Sequence, residues 1–511
     1  MPTPTTTPVA EPTWYSDIRQ LFTDTDITHM RSQGLDLSIY DVVKDNAMII
    51  YGQVASGGMP PPPEGPWPQD WVTTFFNWIN TGCPKGTNAP SPMLRARLAA
   101  AAPSTATRIR KDITTLSETE MATLIKAFNG ILAKAPSDPN SFFMQAGIHW
   151  LPGTNGRFFC QHHVPGYNPW HRAYLLGFEN ALRSVEGCEN VTLPYWDITT
   201  PFPDVLKQAP FASYTLPQAV GTNFPAGYTT ARYDYATIQQ NLLNNSVTDD
   251  LNRALTQTDW EDFHGFWSGA SYDTIIAAHD GGHVSIGPTM ASPLVAAFDP
   301  IFFFFHANWD RLFWKWQTSM QATDLNSLLS TINQQTDAPS YQIFTLPAFE
   351  ALAPFPTSSP NLTTLGIINS VTQLDVDYEE PQTARTMSFA AKLQRAVPAS
   401  AKVQVQTDRV NVRVAGVNRL KIPGSFSVHL LKDGERIASK AFFQTDEAEK
   451  CETCVKNAIA NFDFKLPLET VSAGKLSVVV EPVDKSVVGD RFPHKMMGNP
   501  TIEVHMLLGT E

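Results

Sequence analysis

Histidine is distributed very unevenly along this chain, and that unevenness restricts what it can fold into. Of twelve histidines, eight fall between His149 and His306, in a stretch otherwise rich in aromatic and aliphatic residues. One histidine on an apolar face is usually a satisfied core residue. Several beside strong helical patterns point instead to metal, because neutral imidazoles buried without partners are costly. His279-Asp-Gly-Gly-His283 sets two imidazoles four residues apart, on one face of a helix, where both can aim at one ion. The motif lacks the glutamate that a His-Glu-x-x-His protease uses as its base, which removes the metalloprotease reading. His306 follows four phenylalanines, Phe302 to Phe305, surroundings in which a metal explains a histidine better than chance does. A matching set lies upstream, with His149, then Cys160-Gln-His162-His163, then Trp170-His171-Arg172. Two sets of three neutral imidazoles make two open, nitrogen-only sites, a donor set that suits copper. Zinc held by three histidines fits either half alone and gives no reason for two halves.

The remaining sequence narrows the class of molecule. A chain of 511 residues exceeds what one hydrophobic core organises, so several domains are expected. The net charge of −12, without a basic stripe, argues against a nucleic-acid partner. No apolar run is long enough to span a bilayer, and the Thr/Pro-rich start, Met1 to Trp14, does not read as a signal peptide. Five cysteines, Cys83, Cys160, Cys188, Cys451 and Cys454, are too few for a disulfide scaffold. Together these features predict a cytoplasmic protein with no membrane partner, and leave a homo-oligomer open.

Periodicity divides the chain. Residues 1–14 read as disordered. Residues 15–100 read as a small helical unit plus linker, with Ile18, Leu21 and Phe22 at helical spacing, an apolar run from Ile39 to Val54, and a helix from about Asp70 to Asn80. Residues 101–345 read as a helix bundle with long connections. Its helices are expected from the capping box Ser117-Glu-Thr-Glu120 to about Ala135, around His149, and over His171–Val185, Asp273–His283 and Asp299–Gln317. Residues 346–400 read as a wrapping linker. From residue 401 the period becomes two, as in Val410, Val412 and Val414, which predicts a β-sandwich. The expected fold is therefore mainly α: a metal-binding helical core, a small N-terminal helical unit and a C-terminal β-sandwich.

Four ordered motifs in residues 105–380 resemble the tyrosinase, catechol oxidase and polyphenol oxidase family. They are Phe159-Cys160-Gln-His162-His163 through Trp170-His171-Arg172, Leu193-Pro-Tyr-Trp-Asp197, His279-x-x-x-His283, and Phe298-Asp-Pro-Ile-Phe302 through Asp310-Arg311. The resemblance implies a type 3 centre of two copper ions, one held by His149, His162 and His171 and the other by His279, His283 and His306. It also implies dioxygen and a phenolic small molecule as substrates, with o-quinones as products. Alternatives within the resemblance are a catechol oxidase or o-aminophenol oxidase without monophenol hydroxylation, and a hemocyanin-like dioxygen carrier. Cys160 and His162 match the pair joined by a thioether in many members. Many members also carry His-His where this chain has Phe305-His306, and there the second histidine is the ligand. The resemblance offers Asp280 either as a catalytic base or as a group that orients His279; the Glu that some members carry just upstream is replaced here by Ile275 and Ile276. Phe302 and Val284 are expected to line the substrate pocket. Cys451-Glu-Thr-Cys454 resembles a copper-loading motif of fungal pro-tyrosinases, whose C-terminal domains cover the site with an aromatic ring. Phe442 or Phe443 is expected to fill that role. His163 and His264 are expected to be structural.

Overall fold

The computed structural model describes residues 8–23, 26–27, 30, 35, 37–55, 66–86, 106–149, 161–265, 274–332, 339–346, 351–357, 361–380, 409–472, 474–484 and 492–506. Cys160 and His29 lie outside them.

The N-terminal unit closes around its own core of Trp14, Ile18, Phe22, Val43, Phe75 and Trp78. The apolar run from Ile39 to Val54 is two helices, α1 (Tyr40–Asp45) and α2 (Ala47–Ala55), because Asn46 caps the first and breaks the ladder. α3 (Gln69–Asn80) lays its apolar face on that core. The spacing of Ile18 and Leu21 produces short π and 3-10 turns, Trp14–Ile18 and Arg19–Leu21, rather than an α-helix. The expected disorder up to residue 14 is corrected for residues 8–14. The Val9 backbone bonds Thr74 and Asn77 of α3, and Trp14 is buried, so this segment is held by the same core.

The helical core begins with β1 (Arg108–Arg110) and α4 (Glu118–Leu132), whose start is fixed by the reciprocal Ser117–Glu120 capping box. α5 (Phe142–Gly147) ends just before His149. α6 (Tyr167–Arg183) starts a turn earlier than the sequence suggested, since a proline such as Pro169 is tolerated in a first turn. α7 (Tyr235–Asn244) and α8 (Val247–Ala254) pack on α9 (Ile275–Ile286), which in turn faces α10 (Ile301–Met320). Two glycines make that close approach feasible. A Cβ at Gly282 would lie 2.7 Å from the Phe305 ring, and one at Gly281 would lie 2.9 Å from Val247. The segment after residue 360 packs Leu362, Ile367, Leu374 and Val376 into this same core, and β2 (Val376–Tyr378) pairs in parallel with β1. A buried charged network fastens the arrangement. Arg172 on α6 donates to Asp310 on α10 at 2.6 Å, Tyr378 donates to the same carboxylate at 2.6 Å, and Arg110 donates to Tyr378 and to Glu179.

The C-terminal domain is a sandwich of two antiparallel three-stranded sheets. One has the order β6 (Ile459–Pro467), β3 (Arg409–Asn418), β8 (Thr501–Met506); the other has β5 (Glu435–Phe442), β4 (Phe426–Lys432), β7 (Leu476–Pro482). Val410, Val412, Val414, Val428, Leu430, Phe462 and Phe464 fill the space between them, and the same cluster extends to Tyr167, Ile276 and Ala277 of the helical core. The two domains are thus packed as one body at α9. Lys440 on β5 donates to both oxygens of Asp250 on α8 at 2.6 Å, with both side chains almost fully buried, and Arg253 pairs with the same carboxylate. Removing Lys440 leaves the buried Asp250 carboxylate with Arg253 alone, so Lys440→Ala should destabilise the domain interface, by less than the about 3–5 kcal/mol of a fully unpaired buried charge. Chemical denaturation monitored by protease access to the interface measures this, and an unchanged profile would show that the pair contributes nothing net. No helix among the described residues is long and apolar enough to cross a membrane.

Candidate metal centre

Helical spacing delivers three of the six histidines. His279 and His283 sit one turn apart on α9, and His306 lies on α10 opposite them. His171 lies in the first turns of α6, while His149 follows α5 and His162 precedes α6. The structure gathers them into two triads, His149–His162–His171 and His279–His283–His306. Within each, the potential ligand atoms lie within 4.8 Å of one another. The triads face each other: the His171 and His306 rings are stacked with centroids 4.4 Å apart, and His162 lies 5.5 Å from His279.

The environment prepares these rings for metal. Burial pushes the pKa of all six down, that of His149 to about 3, so the imidazoles are held neutral. The Nδ1 atoms of four of them are tied off by hydrogen bonds. His149 donates to the Pro293 carbonyl at 3.2 Å, His171 to the Tyr167 carbonyl at 2.8 Å, His283 to the Met290 carbonyl at 2.8 Å, and His279 to the Asp280 carboxylate at 2.9 Å. With the hydrogen on Nδ1, the Nε2 lone pairs of these four are turned inward, the arrangement that orients metal ligands. Among the described residues, the buried Nε2 atoms of His149 and His279 have no hydrogen-bond partner, and those of His283 and His306 are hydrogen-bonded to each other at 3.2 Å. Inward lone pairs left without donors in a dry site are satisfied by cations, and two imidazole triads fit a pair of copper ions.

The other expected residues are distributed as follows. Phe302 packs on His306 at 4.1 Å and on His149 at 4.8 Å, so it walls both triads. Val284 lies at the seam between the domains, clustered with Ala291 and Ala441. Phe443 stacks on His283, centroids 4.0 Å apart and 9° from parallel, and its ring is fully buried; Phe442 turns away into the sandwich and stacks on His163 at 4.4 Å. Phe442 as the covering ring is therefore corrected: it is the last residue of β5, and side chains alternate along a strand, so only the next residue points into the helical core. Of the two roles expected for Asp280, its contacts support the orienting one. One oxygen accepts from His279, and the other accepts from His163 at 2.7 Å and from the Phe443 backbone N–H at 2.9 Å, which holds the carboxylate behind the ligand and below its usual pKa range. Cys451, just before the short helix Glu452–Lys456, and Cys454, within it, are joined as a disulfide. His264 is buried, with its pKa pushed down to about 3 by burial, and belongs to neither triad. One residue escaped the sequence reading. Arg419, inside Val417-Asn-Arg-Leu-Lys421, resembles a surface charge, yet it is fully buried and donates to His163 Nδ1 at 3.2 Å.

Comparison with known proteins places this centre. Residues 139–319 match the family model of the common central domain of tyrosinase. The chain is 26% identical to a tyrosinase of Aspergillus oryzae, over 62% of this chain and 80% of that protein. It is 28% identical to hemocyanin 1 of Megathura crenulata, over 43% of this chain and 7% of that protein. The fold is similar to that of a tyrosinase from Burkholderia thailandensis, with a TM-score of 0.58 at 21% identity, over 78% of this chain and 99% of that one.

Proposed function

Since this chain belongs to the tyrosinase family of type 3 copper proteins, we propose that it oxidises phenolic compounds with dioxygen, converting o-diphenols, and more slowly monophenols, to o-quinones. The observation that carries this reading is the facing pair of imidazole triads, with Nδ1 tethered and Nε2 directed inward in His149, His171, His279 and His283. His149, His162 and His171 would hold one copper, and His279, His283 and His306 the other. Bound there, the pair would supply the dioxygen-dependent two-electron oxidation that turns a catechol into a quinone.

The chain's own groups provide binding, orientation and dryness. Phe302 and Phe305 pack against the ligand rings and exclude water from the centre. The plane occupied by Phe443 above His283 is where a substrate ring would stack, flanked by the apolar seam at Val284. Asp280, already accepting three hydrogen bonds behind His279, orients that ligand instead of receiving a phenol proton. Without that base, a monophenol has a slower entry than a catechol, whose hydroxyl is more readily deprotonated.

The relationship to hemocyanins keeps a dioxygen carrier as the second reading, favoured by the ring that covers the centre in the intact chain. Reconstitution with copper, followed by oxygen uptake with catechol and with tyramine, separates the two. The expected result is two coppers per chain and quinone from catechol at a rate above that from tyramine. Two bound coppers with reversible dioxygen binding and no quinone from either compound, even after removal of residues 409–511, would establish the carrier.

A further inference from the structure

The residues that hold the covering domain in place also reach the second triad from behind. Arg419, on the loop after β3, donates a guanidinium hydrogen to His163 Nδ1 at 3.2 Å. His163 must then carry its hydrogen on Nε2, which donates to Asp280 at 2.7 Å, and Asp280 accepts the Nδ1 hydrogen of His279 at 2.9 Å. The backbone N–H of Phe443 donates to the same Asp280 oxygen as His163. Every member of this chain is buried. Arg419 is itself fixed by the Asn457 carbonyl and lies over the Phe442 ring, which stacks on His163. Two of the hydrogen bonds that define the position of Asp280 therefore originate, directly or through one imidazole, in the C-terminal domain.

We propose that Arg419 and the Phe443 backbone N–H are positioning groups for the ligand His279, so that the C-terminal domain supports the second copper site as well as covering it. The inference rests on the dicopper reading above. Its physical basis is the fixing of a buried ring. Arg419 donates to Nδ1 while Nε2 donates to Asp280, so His163 is held from both sides; without the guanidinium the buried Nδ1 lone pair loses that donor and the ring is held less firmly against Asp280. Asp280 is then less firmly oriented, and with it the His279 ring that donates to it.

Copper retention tests this without recourse to activity. Full-length protein loaded with copper is challenged with increasing bicinchoninate, and copper per chain is measured by atomic absorption. Arg419→Met keeps the aliphatic stem and removes the donors; it should surrender one of its two coppers at about 10-fold lower chelator than wild type. Arg419→Lys, which restores a donor and the charge, should recover part of the loss. Phe443→Ala removes the ring and keeps the N–H, and should retain both coppers as wild type does. Should Arg419→Met fail to fold, His163→Asn interrupts the same chain with a residue suited to the left-handed backbone there, φ 56°. Wild-type retention in the Met variant overturns the inference. So does simultaneous loss of both coppers, which marks general loosening, or equal loss in Phe443→Ala, which marks covering alone. A wild-type chain that takes up no copper overturns the dicopper reading itself, and this inference with it.

Discussion

Phe443→Ala in full-length, copper-loaded protein is expected to raise the rate of catechol oxidation at low substrate by about 30-fold, with copper content unchanged. The magnitude follows from what the ring must give up to leave. Exposing a buried phenylalanine side chain costs on the order of 2 kcal/mol, and at about 1.4 kcal/mol per factor of ten only a few per cent of chains are open at any moment. Substrate affinity is reduced by that open fraction. The substitution removes the ring that stacks 4.0 Å above His283, while the Lys440–Asp250 pair and the Asp280 contact to the residue 443 backbone stay in place. The gain should therefore appear in kcat/KM at low catechol and shrink towards saturation. Identical rates per copper in variant and wild type would mean that Phe443 does not gate the centre.

His306→Ala should have the opposite and larger effect. His306 is surrounded by Phe302, Phe305 and the facing His171, with no water-exposed surface. Losing it leaves the second triad with two imidazole donors of three. Copper per chain should fall from two to about one, and catechol oxidation should drop by about 10³-fold or more, the equivalent of several kcal/mol of metal stabilisation. The same variant should be less stable than wild type in the absence of metal, since it loses the hydrogen bond between the Nε2 atoms of His283 and His306 and leaves a cavity in a fully buried site. Wild type should gain about 4 kcal/mol when copper is supplied at a thousand times its dissociation constant, and the variant much less. Thermal melts of both proteins with and without copper measure the difference. A His306→Ala protein that keeps two coppers and full activity would remove this residue from the centre.

The sequence and structure agree where chemistry is repeated at a fixed period. The step of four between His279 and His283 and the phenylalanine run before His306 announced candidate ligands on two facing helices, because helical geometry turns spacing into direction. The period-two valines announced the sandwich for the same reason. Function carried by contacts between distant segments was not legible in this way. Nothing local told Phe442 from Phe443, since the choice depends on where β5 ends. Asp280 stood between two roles until His163 and the Phe443 N–H arrived from 117 and 163 residues away to occupy it. Arg419 gave no signal at all: an arginine beside asparagine and lysine reads as solvated, and only the meeting of its loop with His163, 256 residues away, makes it part of the centre.

The covering domain is joined to the core through residues 381–408. On the near side of that stretch, Glu380 is fastened to Arg311 and Lys315 of α10. Whatever loosens the cover, it cannot diffuse away while this peptide is intact, and short tethers hold a partner at millimolar effective concentration. One hydrolysed bond between Glu380 and Arg409 would convert a self-ligand into an ordinary dissociating one, governed by dilution. Chain scission there would make exposure of the centre a lasting commitment instead of a passing fluctuation.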